Sequence, residues 1–266
     1  MPERVEWEDL PAEFRDAVEA RTGPVFASES VASGFNCSTA LVVHTRYGGC
    51  LFLKGVRTSD EAGTAALRCE DRMNRVVARL GPAVRHRFEL AGWRALAFTH
   101  IDGRHADYGP GTGDLEALAR TVRDMRHLRT PTFPVPQLAD RFAGHLRPGE
   151  AALLNGRHLL HTDLNPHNVL ITDPDEPARL VDWAMPALGP AWVDAAYVAT
   201  WLMCFDQTLE AVGKWLSGIP SWRDADRAAV RAFVDVTCRE FTASAGEKDS
   251  AANNARFRQL LAFPHG

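Results

Sequence analysis

Apolar positions recur along this chain at two periods, and the change from one to the other divides it. Between residues 9 and 22, Leu10, Phe14, Ala17 and Val18 share a face at helical spacing, and Gly23-Pro24 closes the run. Strand-like runs follow at 25–32, 39–46 and 50–56. The last two are rich in Val, Leu and Phe and are joined by the hairpin signal Tyr47-Gly48-Gly49. A helix over about 60–80 ends at Gly81-Pro82, and strands 84–91 and 93–101 make a second hairpin around Gly92. Beyond Asp102-Gly103 the period turns helical. Leu115, Leu118, Val122 and Met125 mark one helix, which the Pro-rich stretch 130–136 ends, and 137–155 also reads as helical. Short strands at 158–160, 169–172 and 179–182 flank a polar stretch, and 192–263 is helical with breaks at Gly218-Ile219-Pro220 and near Gly246. The pattern predicts an α+β, bilobal plan. An antiparallel sheet with one inserted helix occupies 1–101, and a mainly helical lobe occupies 102–266. Ligands tend to sit where such lobes meet.

Composition narrows the function more than the fold. Lys+Arg 30 against Asp+Glu 34 leaves a net charge of −4, which argues against a nucleic-acid binder with its basic face. The five cysteines (Cys37, Cys50, Cys69, Cys204, Cys238) form no C-x-x-C pair, so they read as reduced thiols rather than a disulfide frame or zinc site. The charged N-terminus has no apolar signal core, and the longest nearly apolar run, 195–205, is too short for a bilayer. A cytoplasmic protein without membrane or nucleic-acid partners is expected, as a monomer or weak dimer.

Chemistry concentrates in His161-Thr162-Asp163-Leu164-Asn165-Pro166-His167-Asn168, set between short apolar runs. Polar groups at that density are costly to bury unless they bind something. Asp163 and Asn168 are five positions apart, and Asp182 ends the apolar strand Leu180-Val181 fourteen positions further on. Oxygen ligands from Asn168 and Asp182 suit Mg²⁺, which takes few protein ligands alongside waters and phosphates. Asp163 is left to orient a hydroxyl and accept its proton. Lys54 lies in the apolar strand 51–56, and alternation alone would turn it to solvent. Glu70 falls at the edge of the apolar arc of its helix (Ala66, Met73, Val76, Val77, Leu80), where a carboxylate needs a cationic partner; Lys54 is the candidate. The loop Ser33, Gly34, Asn36 and Ser38 could bring backbone N–H groups to phosphate, but with one glycine the signal is weak, and taken alone the loop reads first as an ordinary hairpin turn.

H-x-D-x-x-x-x-N with its apolar triplet, then Val181-Asp182-Trp183, then Gly189-Pro190-Ala191-Trp192-Val193-Asp194, resembles the aminoglycoside phosphotransferase family. The likeness runs over about 28–200 and implies a protein-kinase-like fold. It also implies transfer of a phosphoryl group from ATP or GTP, with Mg²⁺, to a small-molecule hydroxyl. By that resemblance Asp163 is the catalytic carboxylate, and Asn168 and Asp182 hold magnesium. Lys54 meets the α- and β-phosphates and is braced by Glu70; His161 and Asp194 support the catalytic loop. The loop at 33–38 and the stretch Thr99, His100 and Ile101 complete the nucleotide-binding set. Trp183-Ala184 departs from the usual Phe-Gly, and Asn165 and His167 stand where many relatives carry other residues.

Only twelve positions separate Asp182 from Asp194, which leaves no room for a long activation segment and disfavours a protein kinase. The expected acceptor is a small hydroxylated molecule: an antibiotic of aminoglycoside, peptide or nucleoside type, or alternatively a sugar or other metabolite. Acceptor contacts are expected from Asp102, Asp107, Tyr108, Trp201 and Asp206, with Trp222 and Glu240 nearby in the pattern. A metal-dependent hydrolase built on His161, Asp163, His167 and Asp182 is the other enzymatic reading.

Overall fold

The computed structural model describes residues 4–31 and 37–264, and the chain divides into two compact units. The first comprises 1–103 together with 180–184, and the second 104–179 with 185–266.

The first unit is built on one antiparallel sheet. Its strands are β1 (Val25–Ser30), β2 (Thr39–Thr45), β3 (Gly49–Arg57), β4 (Val84–Leu90) and β5 (Trp93–Thr99), ordered β1-β2-β3-β5-β4. Two tight hairpins give the order. In the second, Ala91 and Gly92 both take positive φ (51° and 77°), the backbone twist that two-residue hairpins require. Central β3 pairs Lys54 with Ala40 on one side and Leu96 on the other. Both faces of this sheet are covered. Helix α1 (Ala12–Thr22) sets Phe14 and Val18 against Leu51, Leu53, Phe88 and Trp93. Helix α2 (Glu61–Met73) sets Leu67 on the other face, against Val56, Leu96 and Phe98. Alternation along β3 therefore sends Lys54 under α2, not into water.

Helix α2 is capped by Asp60, which accepts the Gly63 N–H at 2.9 Å, and it stops seven residues short of the expected end. Asn74 explains the stop. Its side chain donates to Pro82 O at 2.7 Å and accepts the Val84 N–H at 2.9 Å, so it serves the start of β4.

The second unit contains four short strands: β6 (Arg104–His105), β7 (His158–Leu160), β8 (Val169–Ile171) and, beginning in this unit, β9 (Arg179–Leu180). A further strand, β10 (Ala187–Gly189), was not expected; it pairs antiparallel with β7. The helices are α3 (Asp114–Met125), α4 (Leu138–Arg141), α5 (Glu150–Leu154), α6 (Val193–Cys204), α7 (Leu209–Ser217), α8 (Pro220–Arg223) and α9 (Arg227–Gln259). The helix expected over 137–155 is two short pieces, because Pro148-Gly149 interrupts it and Gly149 takes φ +89°. Gly246 breaks α9 with φ 82°. Phe233 sits at the centre of the core, with edge-on rings from Phe142, Trp192, Tyr197 and Phe257 around it. Among the described residues no helix is long and apolar enough to cross a membrane.

Candidate active site

In the first unit three charges converge. Lys54 Nζ donates to Asp182 Oδ1 at 2.8 Å and forms a second, shorter bond to Glu70 Oε1. Lys54 and Glu70 are 7% and 5% exposed, so each would be very costly without the other. Burial pulls the Lys54 ammonium downwards, but the Glu70 and Asp182 carboxylates outweigh it and hold its pKa above the ordinary value. Burial pushes the Glu70 carboxyl up to about 7 against the attraction of Lys54, with Asp182 adding to the rise. One lysine thus serves two carboxylates, and Glu70 carries the cost of burial.

Asp182 reaches this cluster because the segment 180–184 is pinned to the end of the α2 region. Leu180 donates its N–H to Leu80 O at 2.8 Å. A Cβ on Gly81 would lie 2.7 Å from Leu180 O, so glycine permits the approach. Asp182 itself takes φ +62°.

In the second unit the polar stretch hangs from β7. Asp194, in the first turn of α6, accepts the His161 N–H on Oδ2 at 2.9 Å and the Thr162 N–H on Oδ1 at 2.8 Å. Those bonds hold Thr162 at φ +68°, a conformation costly for a β-branched residue. Thr162 Oγ1 also donates to Met185 O at 2.8 Å. Among the described residues four non-glycines adopt positive φ, and two of them, Thr162 and Asp182, lie in the predicted chemical motifs.

Asp163 follows Thr162 and is half-buried. Asn165 Nδ2 donates to its Oδ1 at 2.8 Å; Asn168 Nδ2 donates to its Oδ2 and to its backbone O, both at 2.9 Å. With its nitrogen committed to Asp163, Asn168 presents its carbonyl oxygen as the atom able to bind a cation. Asp182 likewise offers carboxylate oxygen. Taken singly, each is an oxygen donor of the kind Mg²⁺ takes. His161 is buried, and its Nδ1 accepts the Asp163 N–H at 3.3 Å, a loop-supporting bond.

The other sequence candidates fall in varied places. Ser33, Gly34 and Asn36 lie outside the described residues. Ser38 donates its backbone N–H to Gly55 O at 2.9 Å, so that donor is spent within the sheet. Thr99 and His100 likewise donate their N–H groups to Ala83 O and Cys50 O, and Ile101 is half-buried beyond them. Asp102, Asp107 and Asp206 are exposed, and Trp201 is half-buried with its ring tilted on Phe205.

Two of the expected acceptor contacts are buried. Tyr108 is 1% exposed and its hydroxyl donates to Leu164 O at 3.0 Å, so it props the Asp163 loop from beneath. Trp222 is fully buried in the α9 core and donates Nε1–H to Pro264 O.

Three supporting residues escaped the sequence reading. Thr162 matters through its backbone conformation, which no composition signal reports. Asn165 precedes a proline, a readable turn-and-cap signal, but its bond to Asp163 is not readable. Buried Asp114, at the start of α3, takes Arg104 Nη2 at 2.7 Å and the Asp107 N–H at 2.8 Å, and so closes the loop that carries Tyr108.

Known proteins resemble this chain over part of its sequence and in its fold. Residues 109–233, which contain the whole of 161–168 and Asp194, match the model of the phosphotransferase enzyme family. No curated protein matches the chain in sequence. An aminoglycoside 2′-phosphotransferase in complex with GDP has a similar structure (TM-score 0.60, 14% identity, 90% of each chain covered). So does a Streptomyces rimosus aminoglycoside phosphotransferase in complex with ADP and streptomycin (0.53, 17%, 92% of this chain and 96% of that one). A choline kinase from Streptococcus pneumoniae is a third (0.56, 10%, 95% and 100%). The chain thus has the α+β fold of these structures, and its residues 109–233 match the model of the phosphotransferase enzyme family.

Proposed function

We propose that the protein is an O-phosphotransferase that moves the γ-phosphoryl group of ATP or GTP, with Mg²⁺, to a hydroxyl of a small antibiotic and so inactivates it. The observation that carries this reading is the buried Lys54, held between Glu70 and Asp182, residues 112 positions apart in the chain. A cation fixed in that way is suited to phosphate oxygens, and structural economy alone gives no reason to bury it. Asp182 and the carbonyl oxygen of Asn168 supply magnesium ligands, and the metal would neutralise charge on the transferred group. Asp163 accepts the hydrogen bond of the acceptor hydroxyl and aligns it. Phosphoryl transfer passes through a loose transition state and is governed by positioning, so alignment is the main contribution of Asp163. His161 and Asp194 hold the loop in shape.

Support for an antibiotic acceptor comes from similarity to aminoglycoside phosphotransferases; the likeness to a choline kinase keeps a metabolite hydroxyl as the second reading. The hydrolase reading gains nothing from the geometry. His161 is engaged in the loop, and among the described residues no three His, Cys, Asp or Glu gather to hold a metal. A screen decides among these. Hydroxylated antibiotics, nucleosides, sugars and choline are incubated with Mg²⁺ and γ-labelled ATP or GTP, with Asp163→Ala as control. Label should enter one class of acceptor and fall by at least about 10²-fold in the variant. Turnover without nucleotide, or labelling indifferent to Asp163, would sink the proposal.

A further inference from the structure

Asn165 is fixed at both ends beside the carboxylate that would orient the acceptor. Its Oδ1 accepts the His167 N–H at 2.9 Å, which caps the short turn Pro166–Asn168. That bond settles which end of the amide is nitrogen, and the nitrogen donates to Asp163 Oδ1 at 2.8 Å. Asn168 donates to Asp163 Oδ2 at 2.9 Å. Two amides thus grip the two oxygens of one carboxylate and stop its rotation. A carboxylate oxygen has two lone-pair directions, so each oxygen keeps one after its amide bond is made.

We propose that Asn165 is a positioning residue for phosphoryl transfer: by holding Asp163 Oδ1 it aims the remaining lone pair at the acceptor hydroxyl. This deepens the function proposed above and rests on it. Capping the turn needs only an oxygen, which Asp or Ser supplies as well as Asn. Donating to Asp163 needs an NH₂ group. Asn165→Asp separates the two roles, because it keeps the shape and the cap while setting a second carboxylate against the first.

The experiment uses the full chain and measures ADP or GDP release from the Mg²⁺ nucleotide, with the acceptor returned by the screen, or water if none is. Asn165→Asp should lower kcat about 10- to 100-fold, the weight of one charge-assisted hydrogen bond felt in the transition state. Its KM for nucleotide should change little, while repulsion between the two carboxylates should lower its Tm at neutral pH. Asn165→Ala should lose both kcat and Tm, since the cap goes too. Wild-type kcat in Asn165→Asp, with Asp163→Ala inactive, overturns the positioning role and leaves the phosphotransferase reading intact. Full activity in Asp163→Ala overturns that reading itself. A second readout is free of turnover: in ¹⁵N-labelled protein the Asn165 side-chain amide should exchange slowly and shift in Asp163→Ala. An amide with free-asparagine shift and exchange also overturns the proposal.

Discussion

Asp194 Oδ1 accepts the backbone N–H of Thr162 at 2.8 Å, and Thr162 is the left-handed residue from which Asp163 projects. The carboxylate of Asp194 is buried, and burial raises its pKa even though His161 and the two N–H groups oppose the rise. Asp194→Asn leaves one N–H facing an amide NH₂ instead of an oxygen. A buried donor left unsatisfied costs about 1–3 kcal/mol, and the strain at Thr162 then has less to oppose it. The variant should therefore show both a lower denaturation midpoint and a kcat reduced at least about tenfold, since small misplacements of a reacting group are expensive. Stability loss with unchanged kcat would mean that Asp163 does not depend on this anchor.

The Lys54–Glu70–Asp182 cluster has a pH signature. Folding raises the Glu70 pKa to about 7 from about 4.3 in the unfolded chain, so between those values the native state holds a proton that the unfolded state releases. The stability from this proton is complete below about pH 4.3 and is lost as pH rises through 7. Glu70→Gln should flatten that decline in a series of Tm measurements from about pH 4.5 to 7.5. An unchanged slope would assign the decline to other groups. Lys54→Met leaves two carboxylates without the cation between them, a loss of about 3–5 kcal/mol for one partner of a buried pair. Protonation of Glu70 relieves that loss, so the variant's deficit should be smaller at pH 6 than at pH 8.

The sheet was legible because its punctuation is strong: Tyr47-Gly48-Gly49 and Gly92 turn the chain where a hairpin demands it. The pairing of Lys54 with Glu70 was legible too, since a carboxylate at the margin of an apolar arc needs a cation. What hid the depth of Lys54 was assuming one wet face for β3, whereas α1 and α2 cover both. The end of α2 was hidden because Asn74 commits its side chain to residues 82 and 84, a contact beyond helical period. Backbone conformations at Thr162 and Asp182 are imposed by tertiary bonds, and no local pattern records them. Tyr108 and Trp222 look like ligand-binding aromatics in sequence, because a buried ring with one satisfied polar atom has the same composition as an exposed one.

Asp114 should make the second unit acid-labile. Hydrogen bonds from Arg104 hold its carboxyl below the usual carboxylate range against burial, with the Asp107 N–H assisting. A depressed pKa contributes stability that is present above the unfolded value of about 3.9 and lost as pH falls through the folded one. Asp114→Asn should cost about 1–3 kcal/mol at neutral pH in urea titration, from the bonds weakened at a buried acceptor. The gap to wild type should narrow below about pH 3.9. A gap constant with pH would show that the Arg104 bonds contribute shape and not charge.

Tyr108 allows support and acceptor contact to be told apart. Burial raises its phenol pKa, and the Asp163 charge raises it further, so the hydroxyl stays protonated and donates to Leu164 O throughout the working range. Tyr108→Phe removes that donor and leaves a buried carbonyl short of one bond, while the ring keeps its edge contact with Phe205 at 6.1 Å. The expected loss is about 1 kcal/mol of stability. Because Leu164 follows Asp163 directly, kcat should fall modestly as the loop relaxes, and KM for the acceptor should hold. A residue that touches the acceptor would give the reverse, a raised KM with kcat and Tm preserved, and that result would return Tyr108 to the substrate site.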